Sequence, residues 1–210
     1  LLGGRYMDEQ YKQLEDTKIN SKNIIKTKRW KYKFSKKEII FREKKTKQIL
    51  TDLLKIFAKH NINYFIDGSS FLALMRKQKL SEFTDVDISI VDSNYKNLVK
   101  DLKPLRRKYK IFFHYYKKNH FLFKKGNLLQ IAILSKNNEK KYEPAGIEIY
   151  TEFLYKKNYY RIVPINVINR VPQKFRDKAV KINYDNLKLR ITNFKNSYAK
   201  LSYGPQWKNK

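Results

Sequence analysis

Two carboxylates stand two residues apart, at Asp85 and Asp87, inside the run Asp85-Val86-Asp87-Ile88-Ser89-Ile90-Val91. The alternation predicts a strand from Val86 to Val91 entered through Asp85, and a strand sends residues i and i+2 to one face, roughly 6.5–7 Å apart at Cα. Both carboxylates then point one way. Val86, Ile88 and Ile90 point the other way and hold the strand on a core. Two like charges at ~4 Å and an effective dielectric near ~20 repel by about 4 kcal/mol, so the pair asks for a cation. An all-oxygen pair suits Mg²⁺ or Mn²⁺, which keep several waters and complete their shell with substrate phosphates.

The elements that must position this pair lie just upstream. Tyr64-Phe65-Ile66 reads as a strand, Asp67-Gly68-Ser69 as a tight turn and Ser70 to Arg76 as a short apolar helix. Gly68 lets the backbone come close to a ligand, and Ser69 or Ser70 is placed to cap the helix, whose first N–H groups and dipole favour a phosphate. Turn and carboxylate pair would meet over one nucleotide. Gly68, Ser69 and Ser70 are then the donor-binding residues, with Arg76 or Lys79 pairing with phosphate oxygens. Each piece also has an ordinary reading. Asp-Gly between apolar runs makes hairpin turns, Asp-x-Asp occurs on solvated strand edges, and Arg76 and Lys79 serve equally as solvated surface. The order strand, Gly-Ser turn, helix, Asp-x-Asp strand is what favours the site.

These residues resemble a known family. Gly68-Ser69 followed by Asp85-Val86-Asp87 is similar to the signature of the nucleotidyltransferase fold. The longer run, from Asn61 through Gly68 to Leu72, Leu74, Arg76 and Asp85-Val86-Asp87-Ile88, more narrowly resembles the LicD and fukutin family of phosphotransferases. Ile147-Glu148-Ile149-Tyr150 resembles that family's later acidic strand, and Tyr203-Gly204-Pro205-Gln206-Trp207 its C-terminal Tyr-Gly-x-x-Trp. The resemblance covers residues 45–207. It departs from the family in two places: Glu82-Phe83-Thr84 precede Asp85 where many members carry an acid-rich run, and Glu148 stands where Asp is commoner.

The resemblance implies metal-dependent transfer of a phosphorylated alcohol, phosphocholine or a polyol phosphate, from a CDP-linked donor to a hydroxyl of a free or lipid-linked glycan, with release of CMP. It also implies that Asp85, Asp87 and Glu148 are the catalytic and metal-holding residues, with Mg²⁺ or Mn²⁺ as cofactor. By alternation alone, Ile147 and Ile149 face inward and Glu148 faces the opposite way, where it could join the Asp85/Asp87 pair as third ligand or general base. An exposed strand carboxylate is its ordinary alternative.

The fold expected around the site is α+β: a nucleotidyltransferase-like mixed sheet flanked by helices, with an added antiparallel meander. The chain of 210 residues suffices for one domain that buries roughly 70% of its unfolded surface. Residues 1–34 read as a basic arm, with Lys26, Lys28, Arg29, Lys31 and Lys33 interleaved with Trp30 and Tyr32, and residues 35–210 as the catalytic domain. Ser35-Lys36-Lys37-Glu38 is a capping box opening a helix to about His60. Asp92-Ser93-Asn94 caps a second helix through Leu105. Lys110 to Tyr116, His120 to Lys124 and Leu128 to Leu134 read as a meander of three strands, and Phe153 to Val163 as a hairpin around Lys156-Lys157-Asn158. Val171-Pro172 opens an irregular segment, and Asn186 to Leu201 reads as a C-terminal helix.

Other chemistries find little support. There is no cysteine, so thiolate nucleophiles, disulfides and zinc–thiolate sites are excluded. His60, His114 and His120 lack metal-ligand spacing, and no Gly-x-x-x-x-Gly-Lys-Ser/Thr loop occurs. A formal charge of +29 draws polyanions: nucleotides, an anionic membrane surface as a peripheral partner, and, less favoured, nucleic acid. Abundant Lys, Asn, Ile and Tyr is also what an AT-rich coding sequence produces. No apolar run approaches the roughly 20 residues of a membrane span, and Leu1-Leu2-Gly3-Gly4 is too short for a signal core, so the expectation is a cytoplasmic protein, with peripheral contact at the inner membrane face. Two alternatives stand beside the CDP-alcohol reading: transfer of a nucleoside monophosphate to a small molecule, protein or RNA with release of pyrophosphate, and non-catalytic binding of a polyanion.

Overall fold

The computed structural model describes residues 34–82, 85–91, 95–117, 119, 122–136, 144–163 and 167–208. The expected basic arm lies outside these residues apart from Phe34, as do His120, Phe83-Thr84 and the Asp92-Ser93-Asn94 cap. Helix α1 (Lys36–Lys59) begins where the capping box places it, with Ser35 accepting a hydrogen bond from the Glu38 amide at 3.2 Å. Its buried residues Arg42, Thr46, Ile49, Leu50, Leu53 and Phe57 recur every three or four positions, the period that lays one helix face on a core.

Strand β1 (Tyr64–Ile66), helix α2 (Gly68–Met75), strand β2 (Asp85–Ile90) and helix α3 (Tyr95–Leu102) follow, then β3 (Tyr109–Tyr115), β4 (Leu128–Ser135) and β5 (Gly146–Thr151). These five strands form one mixed sheet in the order β1-β2-β5-β4-β3. Only the β2/β5 pair is parallel, and it puts Asp85 beside Gly146 and Asp87 beside Glu148. Val86, Ile88, Ile131, Ile133, Ile147 and Ile149 fill the opposite face with α1, all at most 1% exposed. The architecture is thus α+β, a mixed sheet flanked by helices, as the sequence predicts.

Two expectations are corrected. Of the three expected meander strands, β3 and β4 pair directly with each other, and residues 122–124 are not a strand. Phe123 instead turns inward and stacks on Tyr116 at 4.6 Å, and the Tyr116 and Gly126 amides close the loop onto Asn127 O and Tyr116 O, both at 2.9 Å. An antiparallel meander does exist further along, as β6 (Phe153–Tyr155), β7 (Asn158–Val163) and β8 (Val167–Pro172). The second correction concerns the C-terminal helix, which begins only at Lys195. A short helix α4 (Lys174–Asp177) leads into a hairpin of β9 (Ala179–Tyr184) and β10 (Leu187–Thr192), and α5 spans Lys195–Tyr203. Period-2 burial decides this: Leu189 and Ile191 are buried, while Lys188 is exposed and Arg190 only half-buried. The hairpin covers the β1 edge, with Tyr64 donating to Lys188 O at 3.3 Å and Arg190 to Asn63 at 2.7 Å. Among the described residues no helix is long and apolar enough to cross a membrane.

Because Leu189 is a strand residue sealed against the core, Leu189→Ala is expected to lower stability by about 2–5 kcal/mol in urea denaturation, with Lys188→Ala within about 0.5 kcal/mol of the parent.

Candidate active site

The β2/β5 register sets the site. With Asp87 and Glu148 side by side on neighbouring strands and Asp85 two residues before Asp87, the three side chains share one face. One carboxylate oxygen from each lies within 4.8 Å of the others. Gly146 stands opposite Asp85, where a Cβ would meet Leu134 Cδ2 at 3.0 Å and Asp85 Cβ at 3.6 Å. A larger residue there would press first on Leu134.

The cluster is electrostatically strained as it stands. Burial, followed by the negative charges of Asp85 and Glu148, holds the Asp87 carboxyl well above the usual carboxylate range. Burial and the Asp85 charge push Glu148 up to about 7. The Tyr150 hydroxyl donates to Glu148 Oε2, and burial together with that carboxylate keeps its own proton firmly bound. A divalent ion relieves this repulsion, and an all-oxygen donor set with no nitrogen or sulfur fits Mg²⁺ or Mn²⁺. Asp85, Asp87 and Glu148 are therefore residues that could hold such an ion.

The turn before α2 closes over the pair. Gly68 sits at φ +51°, and a Cβ there would lie 2.6 Å from Asp87 Cγ, so only glycine lets turn and acid approach this closely. The Ser69 amide and hydroxyl both donate to Asp87 Oδ2, at 3.1 and 3.2 Å. Ser70 Oγ accepts from the Asp87 amide at 3.0 Å. Both serines thus brace β2, and the helix cap is Asp67, which accepts from the Gly68 amide at 2.9 Å. The expected serine cap is corrected because the helix starts two residues earlier, at Gly68.

Behind the turn lies a buried ionic network that pattern reading passed over. Asp67 accepts from Ser89 at 2.8 Å and from the Tyr198 hydroxyl, and pairs with Arg161 at 3.0 Å and Arg176 at 2.5 Å. Burial alone would raise its pKa, but Arg176 and Arg161 overcome that and hold the carboxyl below the usual range. Arg176 also pairs with Glu152 at 2.7 Å. The signals were slight: Arg161 and Arg176 look like two more cations among 48 Lys and Arg residues. Their enclosure by Phe65, Tyr150 and Tyr198 emerges only when β7, α4 and α5 pack together.

The remaining expected residues are placed as follows. Arg76 donates through Nε to Trp207 O at 2.9 Å, which ties α2 to the C-terminal segment rather than to the acid cluster. Tyr203 donates to Gly68 O, and Trp207 is buried at 8% exposure. The Lys79 side chain is exposed. His60 engages Asp101 at 2.8 Å, away from the acids.

No protein-family model matches the sequence, and no curated protein matches it. Solved structures similar in fold include the following two. One is a lincosamide antibiotic adenylyltransferase with lincomycin bound, at 15% identity and a TM-score of 0.40 over 77% of this chain and 82% of that one. The other is an antigenic nucleotidyltransferase-like protein from Paracoccidioides brasiliensis, at 17% identity and a TM-score of 0.41 over 71% of this chain and 61% of that one. Likeness of this degree leaves the reaction to be argued from the chain's own residues.

The Glu148 shift fixes a pH dependence. The native state holds a proton that the unfolded state releases near pH 4.5, so this group's contribution to stability is present below about 4.5 and is lost as pH rises towards about 7. In metal-free protein Glu148→Gln is expected to flatten that slope in denaturant titrations across pH 4.5–7, and Mn²⁺ to raise the stability of the parent most at and above pH 7. A separate variant, Gly68→Ala, is expected to weaken Mn²⁺ binding at least about tenfold, because the displaced Asp87 can no longer meet Asp85 and Glu148.

Proposed function

We propose that this chain is a divalent-metal-dependent transferase that moves a nucleoside monophosphate from a nucleoside triphosphate to a hydroxyl acceptor and releases pyrophosphate. The observation that carries this is the convergence of three carboxylates from parallel neighbours β2 and β5 beneath the Gly68-Ser69 turn. Asp85, Asp87 and Glu148 would hold Mg²⁺ or Mn²⁺, which when bound neutralises charge on the donor phosphates.

The chain's own residues do the rest. The Ser69 amide and hydroxyl, which bond Asp87 Oδ2 here, would turn to a donor phosphate once a cation takes that carboxylate, while Asp67 and its two arginines hold the turn in place. Glu148, the carboxylate on β5 farthest from the Gly68 turn, is placed to receive the acceptor proton. As the acceptor oxygen–phosphorus bond forms, the bond from phosphorus to pyrophosphate breaks, and the hydroxyl proton passes to Glu148. Tyr150 orients that carboxylate by donating to its second oxygen.

A second reading keeps the site and changes the donor: a CDP-linked alcohol gives up its phosphorylated alcohol to a free or lipid-linked glycan, and CMP leaves. What favours it is the meeting of the two stretches that carry the LicD and fukutin resemblance, through Tyr203 on Gly68 O and Arg76 on Trp207 O. Peripheral contact with an anionic membrane belongs to this reading.

The two separate on products. Protein with Mn²⁺, each of ATP, CTP, GTP and UTP, and a mixed sugar-alcohol acceptor pool is expected to release pyrophosphate. CMP released from CDP-choline selects the second reading. Asp87→Asn is expected to cut either turnover by at least about a thousandfold. Neither product, together with undiminished polyanion binding by Asp85→Asn and Asp87→Asn, would leave a non-catalytic binder instead.

A further inference from the structure

Among the described residues, the sheet face that bears the acids is covered on one half and exposed over much of the other. Over β1, β2 and β5 it lies beneath α2, the Arg161 and Arg176 network and Tyr198. Beyond Glu148 the register continues across the sheet: Asp87 pairs with Glu148, Glu148 with Ala132, and Ala132 with Phe112. Directly paired residues point to one face, so these four side chains form a single row. The neighbouring rows end in Lys110 through Leu134, and in His114 through Gln130. Exposure rises along this direction. Ala132, Leu134 and His114 are half-buried, Lys110 is exposed, and Phe112 is 46% exposed, an unusual state for a phenylalanine in mid-strand.

The donor turn stands on the β2 side of the acids, and Glu148 stands on the β4 side. In an in-line displacement the acceptor enters opposite the leaving group. It therefore approaches over Ala132, whose methyl leaves a low floor, and reaches Phe112 at two strand spacings, about 10 Å from Glu148 at Cα. A six-membered ring attached to a hydroxyl at Glu148 spans that gap.

We propose that β4 and β3 form the acceptor subsite, in which Phe112 stacks on the face of a hydroxyl-bearing ring, a sugar or an aromatic, lying over Ala132 between Lys110 and His114. The direction of approach rests on the transferase reading above, while the ring contact does not. Sugar and aromatic rings share the required chemistry, an apolar face with polar edges.

The test uses p-nitrophenyl β-D-glucopyranoside, which carries both rings, followed by saturation-transfer NMR on the full chain loaded with Mg²⁺. The probe is expected to bind the parent, to bind Phe112→Ala about tenfold more weakly, and to recover with Phe112→Trp. Replacing Mg²⁺ by Mn²⁺ is expected to broaden the resonances of the bound probe, and Asp87→Asn to remove the broadening. Displacement by methyl β-D-glucopyranoside or by p-nitrophenol supports the subsite and tells which ring it takes. Equal affinity of parent and Phe112→Ala, absence of binding to the parent, or a bound probe insensitive to Mn²⁺ that the protein does bind at the acids overturns it. If Mn²⁺ binds at the acids while the probe ignores Phe112, the transferase reading survives and this subsite falls. A Phe112-dependent probe on protein that binds no Mn²⁺ gives the reverse: the ring contact stands and the transferase reading falls.

Discussion

Mutual repulsion among three carboxylates is the constraint around which this structure is arranged. Asp85, Asp87 and Glu148 bring their oxygens within 4.8 Å of one another in a site closed enough to raise two of their pKa values. Left without a cation such a cluster destabilises the fold, so its persistence demands that neighbouring elements hold it together. The parallel β2/β5 pairing does this by register, and the serines of α2 do it by hydrogen bonding to Asp87 from side chain and backbone. The same contacts draw the Gly68 turn down onto the acids, which makes the repulsive cluster and the turn parts of one geometry.

A second layer of charge works in the opposite sense. Asp67 and Glu152 are buried, yet each faces an arginine at hydrogen-bond distance, and Asp67 faces two. Buried pairs of this kind contribute little net stability but are costly to break from one side. Their consequence here is positional. Asp67 caps α2 and is seated by Ser89 on β2, Arg161 on β7, Arg176 on α4 and Tyr198 on α5. Elements from the far end of the chain therefore fix the turn, and Tyr203 adds a hydrogen bond to Gly68 O.

Local signals carried the front half of the site. The capping box at Ser35, the Asp67-Gly68-Ser69 turn and the alternation around Asp87 and Glu148 each depend on a few adjacent residues, and each appears in the fold close to its expected bounds. Signals that depend on tertiary contact were not legible. Nothing near Phe123 announces that it will leave strand geometry to stack on Tyr116, and the basic residues around Leu189 and Ile191 resemble a helix surface as readily as the solvent side of a hairpin. Two lysines, Lys156 and Lys157, hold left-handed backbone at the β6/β7 turn, where glycine or asparagine would have marked it more plainly, although the flanking alternation was sufficient. Arg161 and Arg176 were hidden by composition, since a chain with a +29 charge offers no contrast by which a buried arginine stands out.

The proposed chemistry depends on a cation sitting between β2 and β5. Crystals of the full chain grown with Mn²⁺ and examined by anomalous scattering test it most directly. The account expects a Mn²⁺ peak within bonding distance, about 2.0–2.3 Å, of carboxylate oxygens of Asp85, Asp87 and Glu148. An empty cluster in crystals that hold Mn²⁺ elsewhere, or acids turned away from one another, would contradict it.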